Sequence, residues 1–168
     1  MGHMPFFRKV SIVSIFALLG LFGCDQQRIS ELEEGVSTEA DVRARFGEPE
    51  KIWDGEGAVR IFEYSRQPNG TDNYMISIGA DGKMSALRQV LTPRNFEKVV
   101  PGMMMEDVRK MLGRPAKVTT YALKNQTHYD WHWMDPPTSS KLFTVVFNSD
   151  MRVVSSGSTD YPMYEGGK

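Results

Sequence analysis

The stretch from His128 to Met134 holds two imidazoles, a carboxylate and three large aromatic rings. His128-x-Asp130-x-His132 is a donor set that suits a transition-metal ion. On an extended strand, side chains alternate between faces and each residue advances about 3.3 Å. His128 and His132 then stand roughly 13 Å apart along the strand, too far for one ion bound through nitrogens at about 2.1 Å. No metal site is expected. The same alternation puts Tyr129, Trp131 and Trp133 on one face and His128, Asp130 and His132 on the other. The aromatic face reads as core against a helix, or as a recognition surface of the kind rich in interface hot spots. Tyr129, Trp131, Trp133, His128 and His132 are therefore the candidate partner contacts.

Met103, Met104 and Met105 offer thioethers that suit Cu(I), but at the start of a helix such residues fill gaps in a core. Asn69 and Asn125 open Asn-x-Thr sequons, which mark exposed loops. There is no nucleophile elbow, phosphate loop or zinc-ligand spacing, and nothing pairs the carboxylates. No catalytic residue, enzyme activity or cofactor is expected.

These side chains must be positioned by a repeated unit. Gly35, Val42, Phe46, Gly47 and Pro49 recur as Gly102, Val108, Leu112, Gly113 and Pro115, with Gly47 and Gly113 66 residues apart. Val42 and Phe46, like Val108 and Leu112, are four apart and share a helix face. Ser37 and Thr38 can cap the first helix, and Glu39 and Asp41 favour its N-terminal end. Glu106 and Asp107 do so for the second. Gly47 and Gly113 sit where a left-handed C-cap belongs, and Pro49 and Pro115 stop the helix. Gly35 and Gly102 allow a turn from a short leading helix.

Strand signals follow each helix: 59–64, 74–78 and 84–91 in the first copy, 127–134, 142–147 and 151–156 in the second. Asp81-Gly82 and Asn148–Asp150 mark the last turns, and 65–73 and 135–140 are loops. The expected fold class is α+β: two tandem helix-helix-three-strand units, each an antiparallel sheet packed against helices. Units of this size are marginal alone, so the two should share one body.

The N-terminus suggests an address. Met1–Met4 has the look of a cloning scar and is left out of the fold reasoning. Arg8 and Lys9 precede an apolar run, 10–22, too short to span a bilayer but suited to a signal peptide. It ends in Leu21-Phe22-Gly23-Cys24, which resembles the lipobox of bacterial lipoproteins. That resemblance implies cleavage before Cys24 and covalent lipid on its thiol. Cys24 is the only cysteine of the chain, so no disulfide is available to the folded part. More than one acyl chain is needed for stable anchoring, and the resemblance implies three. Asp25 resembles the sorting residue that retains lipoproteins in the inner membrane of enteric bacteria. Beyond residue 23, the 20 Lys and Arg of the chain lose Arg8 and Lys9, leaving 18 against 21 acidic residues. A slightly acidic chain without a basic block disfavours nucleic-acid binding.

The motif Gly-x-x-x-x-x-Val-x-x-x-hydrophobic-Gly-x-Pro, with the aromatic strand Tyr129–Trp133 after it, resembles the BamE/SmpA/OmlA lipoprotein family. Its tandem arrangement resembles β-lactamase inhibitor protein, two such units forming one curved sheet. The duplication departs from BamE, which has one unit. These resemblances imply a division into signal peptide (1–23), lipidated tether (24–28), first repeat (29–92), second repeat (93–160) and tail (161–168). They imply a periplasm-facing scaffold that binds an envelope protein, in support of outer-membrane protein assembly or envelope integrity. The outer membrane is the expected location, with the inner membrane as the alternative that Asp25 raises. The other function implied is inhibition of a periplasmic or secreted enzyme through a concave sheet face.

Overall fold

A computed structural model describes residues 29–162. The chain divides into two compact units, Met1–Glu31 and Leu32–Lys168. Of the first, residues 29–31 are described, and Ile29 and Ser30 are helical. The expected signal peptide, Cys24, Asp25 and most of the tail lie outside the described residues.

The second unit is built from antiparallel strands. After helix α1 (Glu39–Phe46) come β1 (Lys51–Asp54), β2 (Arg60–Ser65), β3 (Asn73–Ile78) and β4 (Met84–Gln89). Then come the four-residue helix α2 (Pro93–Phe96), α3 (Met105–Leu112), β5 (Lys117–Tyr121), a 3-10 turn at Ala122–Lys124, β6 (Gln126–Asp135), β7 (Ser139–Phe147) and β8 (Val153–Asp160). Each set of four strands forms its own sheet in chain order, every neighbour antiparallel.

The helix-helix-three-strand expectation is thus corrected: the described fold is mainly β, with a fourth strand opening each sheet. The missed strands follow Pro49 and Pro115, which end the helices and push the chain into extended backbone. Only Trp53 is buried in β1, and no residue is buried in β5, so neither strand carries an apolar alternation. Lys117-Val-Thr-Thr-Tyr does carry β-branched and aromatic types, the one signal that was present. The leading helix of the second copy is short because little is there to bury: α2 buries only Phe96, and short helices depend on packing. Residues 34–37 form turns and a bend.

The two halves repeat atom for atom at several places. The cap glycines Gly47 and Gly113 donate their N–H to Arg43 O and Arg109 O, each at 2.8 Å. Their own carbonyls each accept from an aromatic side chain at the matching place in the sheet: Tyr64 Oη at 3.0 Å and Trp131 Nε1 at 3.0 Å. The segments before the helices pair alike with the last strands, Gly35 N–H with Met84 O and Gly102 N–H with Val153 O. Thr38 caps α1 in a capping box with Asp41, whereas Met104 at the start of α3 offers no side-chain bond. Ser37 turns back instead and accepts from the Glu33 amide.

Candidate functional site

Burial along the strands separates the two sheets. β6 and β7 bury alternate residues: Trp131 and Trp133, then Phe143, Val145 and Phe147. That pattern belongs to a sheet covered on one face. The central strands β2 and β3 instead bury consecutive residues, Phe62–Ser65 and Asn73–Ile76, the pattern of a sheet covered on both.

One face of the first sheet packs on α1, where Phe46 meets Tyr64 and Tyr74 at ring separations of 5.1 and 5.6 Å. The other is met by the end of α3, through a polar seam. Glu63, 0% exposed, accepts from Trp53 Nε1 at 2.9 Å, from Arg109 Nη1 at 3.1 Å and from the Arg114 amide at 2.6 Å. Lys110 donates to Asp54 O. Asn73, also fully buried, donates to Leu112 O at 2.7 Å and Arg114 O at 2.9 Å, and so serves the carbonyls that a helix end leaves open. Gly113 is required there twice over. Its φ is +77°, and a Cβ would stand 2.9 Å from Asn73 Nδ2. Gln67 completes the seam: its carboxamide donates to His132 O at 2.7 Å and accepts from His132 N–H at 3.1 Å, imitating a peptide beside β6.

The second sheet packs its aromatic face on the helices. Trp131, Trp133, Phe143, Val145 and Phe147 form one buried cluster with Phe96, Val108 and Leu112. Phe96 stacks on Phe143 at 4.0 Å and meets Trp133 edge-on at 5.0 Å. Val42 and Val108 are both fully buried. Gly35, Gly47 and Gly102 take positive φ like Gly113, and Pro49 and Pro115 begin the chain's exit into β1 and β5. Met103 and Met105 pack against the core, while Met104 is exposed. Asn69 and Asn125 are exposed.

Of the expected contacts, Trp131 and Trp133 are therefore committed to the core, and Tyr129 is half-buried against Phe147 at 5.0 Å. His128 and His132 lie on the opposite face, and so does Asp130. Residues directly paired across strands share a face, so the ladder pairs extend this face to Thr119, Thr144 and Val146, and beyond them to Lys117 and Leu142. None of these residues is buried. Thr144 Oγ1 donates to Asp130 Oδ1 at 2.6 Å, Tyr121 lies 4.6 Å from the His128 ring, and Tyr161 lies 3.7 Å from that of His132. His132 Nδ1 is 3.3 Å from Pro68 O, an acceptor, so that nitrogen is the donor of the pair. Both histidine Nε2 atoms are buried and have no hydrogen-bond partner among the described residues. No group of three His, Cys, Asp or Glu able to hold a metal ion occurs among them either.

Sequence reasoning missed Leu123, a fully exposed side chain at the tip of the β5–β6 hairpin. Its signal was a large apolar residue standing alone beside Lys124 and Asn125. No helix among the described residues is long and apolar enough to cross a membrane.

No protein-family model matches the chain, and no curated protein matches it. Among solved structures it is similar to a DUF4309 family protein of Bacillus subtilis (22% identity, 77% of this chain and 82% of that one, TM-score 0.29). It is similar to a candidate β-lactamase inhibitor protein of Streptococcus mutans (11% identity, 82% of this chain and 96% of that one, TM-score 0.33). It is also similar to an extracellular protein of Bacillus anthracis that contains an SCP domain (12% identity, 89% of this chain and 50% of that one, TM-score 0.32). The inhibitor resemblance thus has a counterpart by name among these structures, and the BamE/SmpA/OmlA resemblance has none. Identities and TM-scores this low establish neither a shared fold nor a shared function.

Proposed function

We propose that this chain is a protein-interaction module whose contact surface is the uncovered face of the second sheet. The observation behind this reading is the contrast in burial: the central strands of the first sheet bury consecutive residues, while those of the second bury alternate ones and leave the other face half-buried. The uncovered face combines His128, Asp130, His132 and Tyr121 with the apolar Leu142 and Val146. Aromatic and imidazole side chains of this kind suit a protein partner. A photo-crosslinker placed at Val146 should give an adduct of one defined mass in cells, while one at Ala44 on the exposed side of α1 should not. Equal labelling from both positions would sink the reading.

The setting we propose is the bacterial envelope, with lipid on Cys24 and the folded part facing the periplasm. The support is the lipobox-like Leu21–Cys24 and the repeated helix motif. Service to outer-membrane assembly or integrity is the finer version. Labelled palmitate should enter the chain and be lost in Cys24→Ala. Separation of membranes on a density gradient, with Asp25→Ser beside the native chain, tests the address. Retention with the inner membrane, relieved by Asp25→Ser, would remove outer-membrane assembly from consideration.

Leu123 favours a second reading, inhibition of a periplasmic or secreted enzyme, because a hairpin tip with one exposed apolar side chain can enter a cleft. Purified protein should then inhibit a hydrolase and Leu123→Asp should not. Absence of inhibition at micromolar concentration would dismiss it.

A further inference from the structure

A sheet edge presents unpaired N–H and C=O groups, and folded proteins guard such edges with charge, cover or brevity. β1 has four residues, and Lys51 and Asp54 among them carry charge. β4 is covered where Gly35 and Ser37 pair with Met84. Farther along, the Leu87 amide donates to the Glu34 carboxylate at 3.0 Å, and Arg88 pairs with the same group. β8 corresponds to β4, since Gly102 and Met103 pair with Val153 as Gly35 and Ser37 pair with Met84. The residue before Gly102 is Pro101, where Glu34 precedes Gly35, so the carboxylate guard is missing. Ser156 is the counterpart of Leu87, and its backbone groups point outward. The Tyr161 N–H to Ser140 O bond at 3.1 Å confirms this phase: Tyr161 points toward β7, so Ser156, Ser158 and Asp160 point away. Every residue from Val154 to Asp160 is exposed, and β8 bears no charge before Asp160. Among the described residues, only β7 forms a ladder with β8.

We infer that the outer edge of β8 pairs with β8 of a second copy of this chain, antiparallel about a twofold axis at Ser158. The strand fits itself. Its open part is small and uncharged, so no like charges oppose one another there. Its flanking charges, Arg152 and Asp160, lie at opposite ends, and antiparallel pairing turns Asp160 of each copy toward the Arg152 end of the other. Parallel pairing would set like beside like. Ser158 faces its own copy, and Ser156 faces Asp160, joining two four-stranded sheets into one of eight. This inference does not depend on what the uncovered face binds.

The test uses the full chain in detergent. Sedimentation equilibrium should return a dimer. Ser158→Pro removes an outward N–H that the fold does not use, at an edge position where proline is tolerated. It should weaken dimerisation at least about tenfold with an unchanged unfolding midpoint. In a Cys24→Ser background, Ser158→Cys places two thiols across a narrow pair whose Cα atoms are about 5.5 Å apart, within disulfide reach. Mild oxidation should link these copies and leave Ala44→Cys unlinked. A monomeric native chain, a dimer that persists in folded Ser158→Pro, or equal linking at both cysteines would each overturn the inference.

Discussion

Glu63 and Asp130 hold the same place in the two sheets and have different fates. Each faces an edge-strand lysine, Lys51 or Lys117. Each lends its carbonyl to the amide that follows a helix-ending proline, that of Glu50 or Ala116. Glu63 is sealed beneath α3 with three donors on its carboxylate. Asp130 stays half-exposed with Thr144 as its side-chain partner. One repeated pattern thus yields an internal joint in one sheet and a half-buried surface in the other. The second half supplies the helix end that covers the first sheet, where Arg109 meets Glu63.

The largest effects should come from breaking the joint. Glu63→Ala leaves the Arg109 guanidinium without its buried partner and should cost about 3–5 kcal/mol, read by urea unfolding. Asp130→Ala should stay within about 0.5 kcal/mol. Equal losses would erase the distinction between the sheets. Trp131→Ala, at the centre of the buried cluster, should cost about 3–5 kcal/mol. Val146→Ala, on the other face of that sheet, should cost far less.

Asn73→Ala should come next, since it strands Leu112 O and Arg114 O; a loss of about 1–3 kcal/mol is expected. His132→Ala should be nearly neutral for folding, and a large loss would mean that its ring is part of the joint.

Two titrations probe the first half alone. Burial pushes the Tyr64 phenol up to about 12 from an ordinary value of 10.0. A raised folded value favours the protonated, folded form, so stability should fall as pH rises from 10 toward 12. Tyr64→Phe should flatten that fall. The smallest effect is at Asp41, whose carboxyl is held below its ordinary range by the Thr38 amide and hydroxyl. Its contribution is present at neutral pH and lost as pH falls through the lowered value. Asp41→Asn should make the acid limb of the stability curve shallower.

The sequence by itself determined the duplication, a helix ending at Gly47 and another at Gly113, and the alternation that puts Trp131 and His132 on opposite faces. Those features depend on periodicity and on local backbone preference, which neighbouring residues settle among themselves. It also carried the lipobox-like N-terminus, which belongs to residues beyond those described. Only the tertiary structure decided that β1 and β5 exist, because short strands with little apolar content are stabilised by the ladder they join. It alone decided that Glu63 is buried while Asp130 is not, and that the β8 edge lacks the carboxylate that guards β4. Those differences come from which element lies across a face or an edge, and such contacts join residues far apart in the chain, as Arg109 joins Glu63.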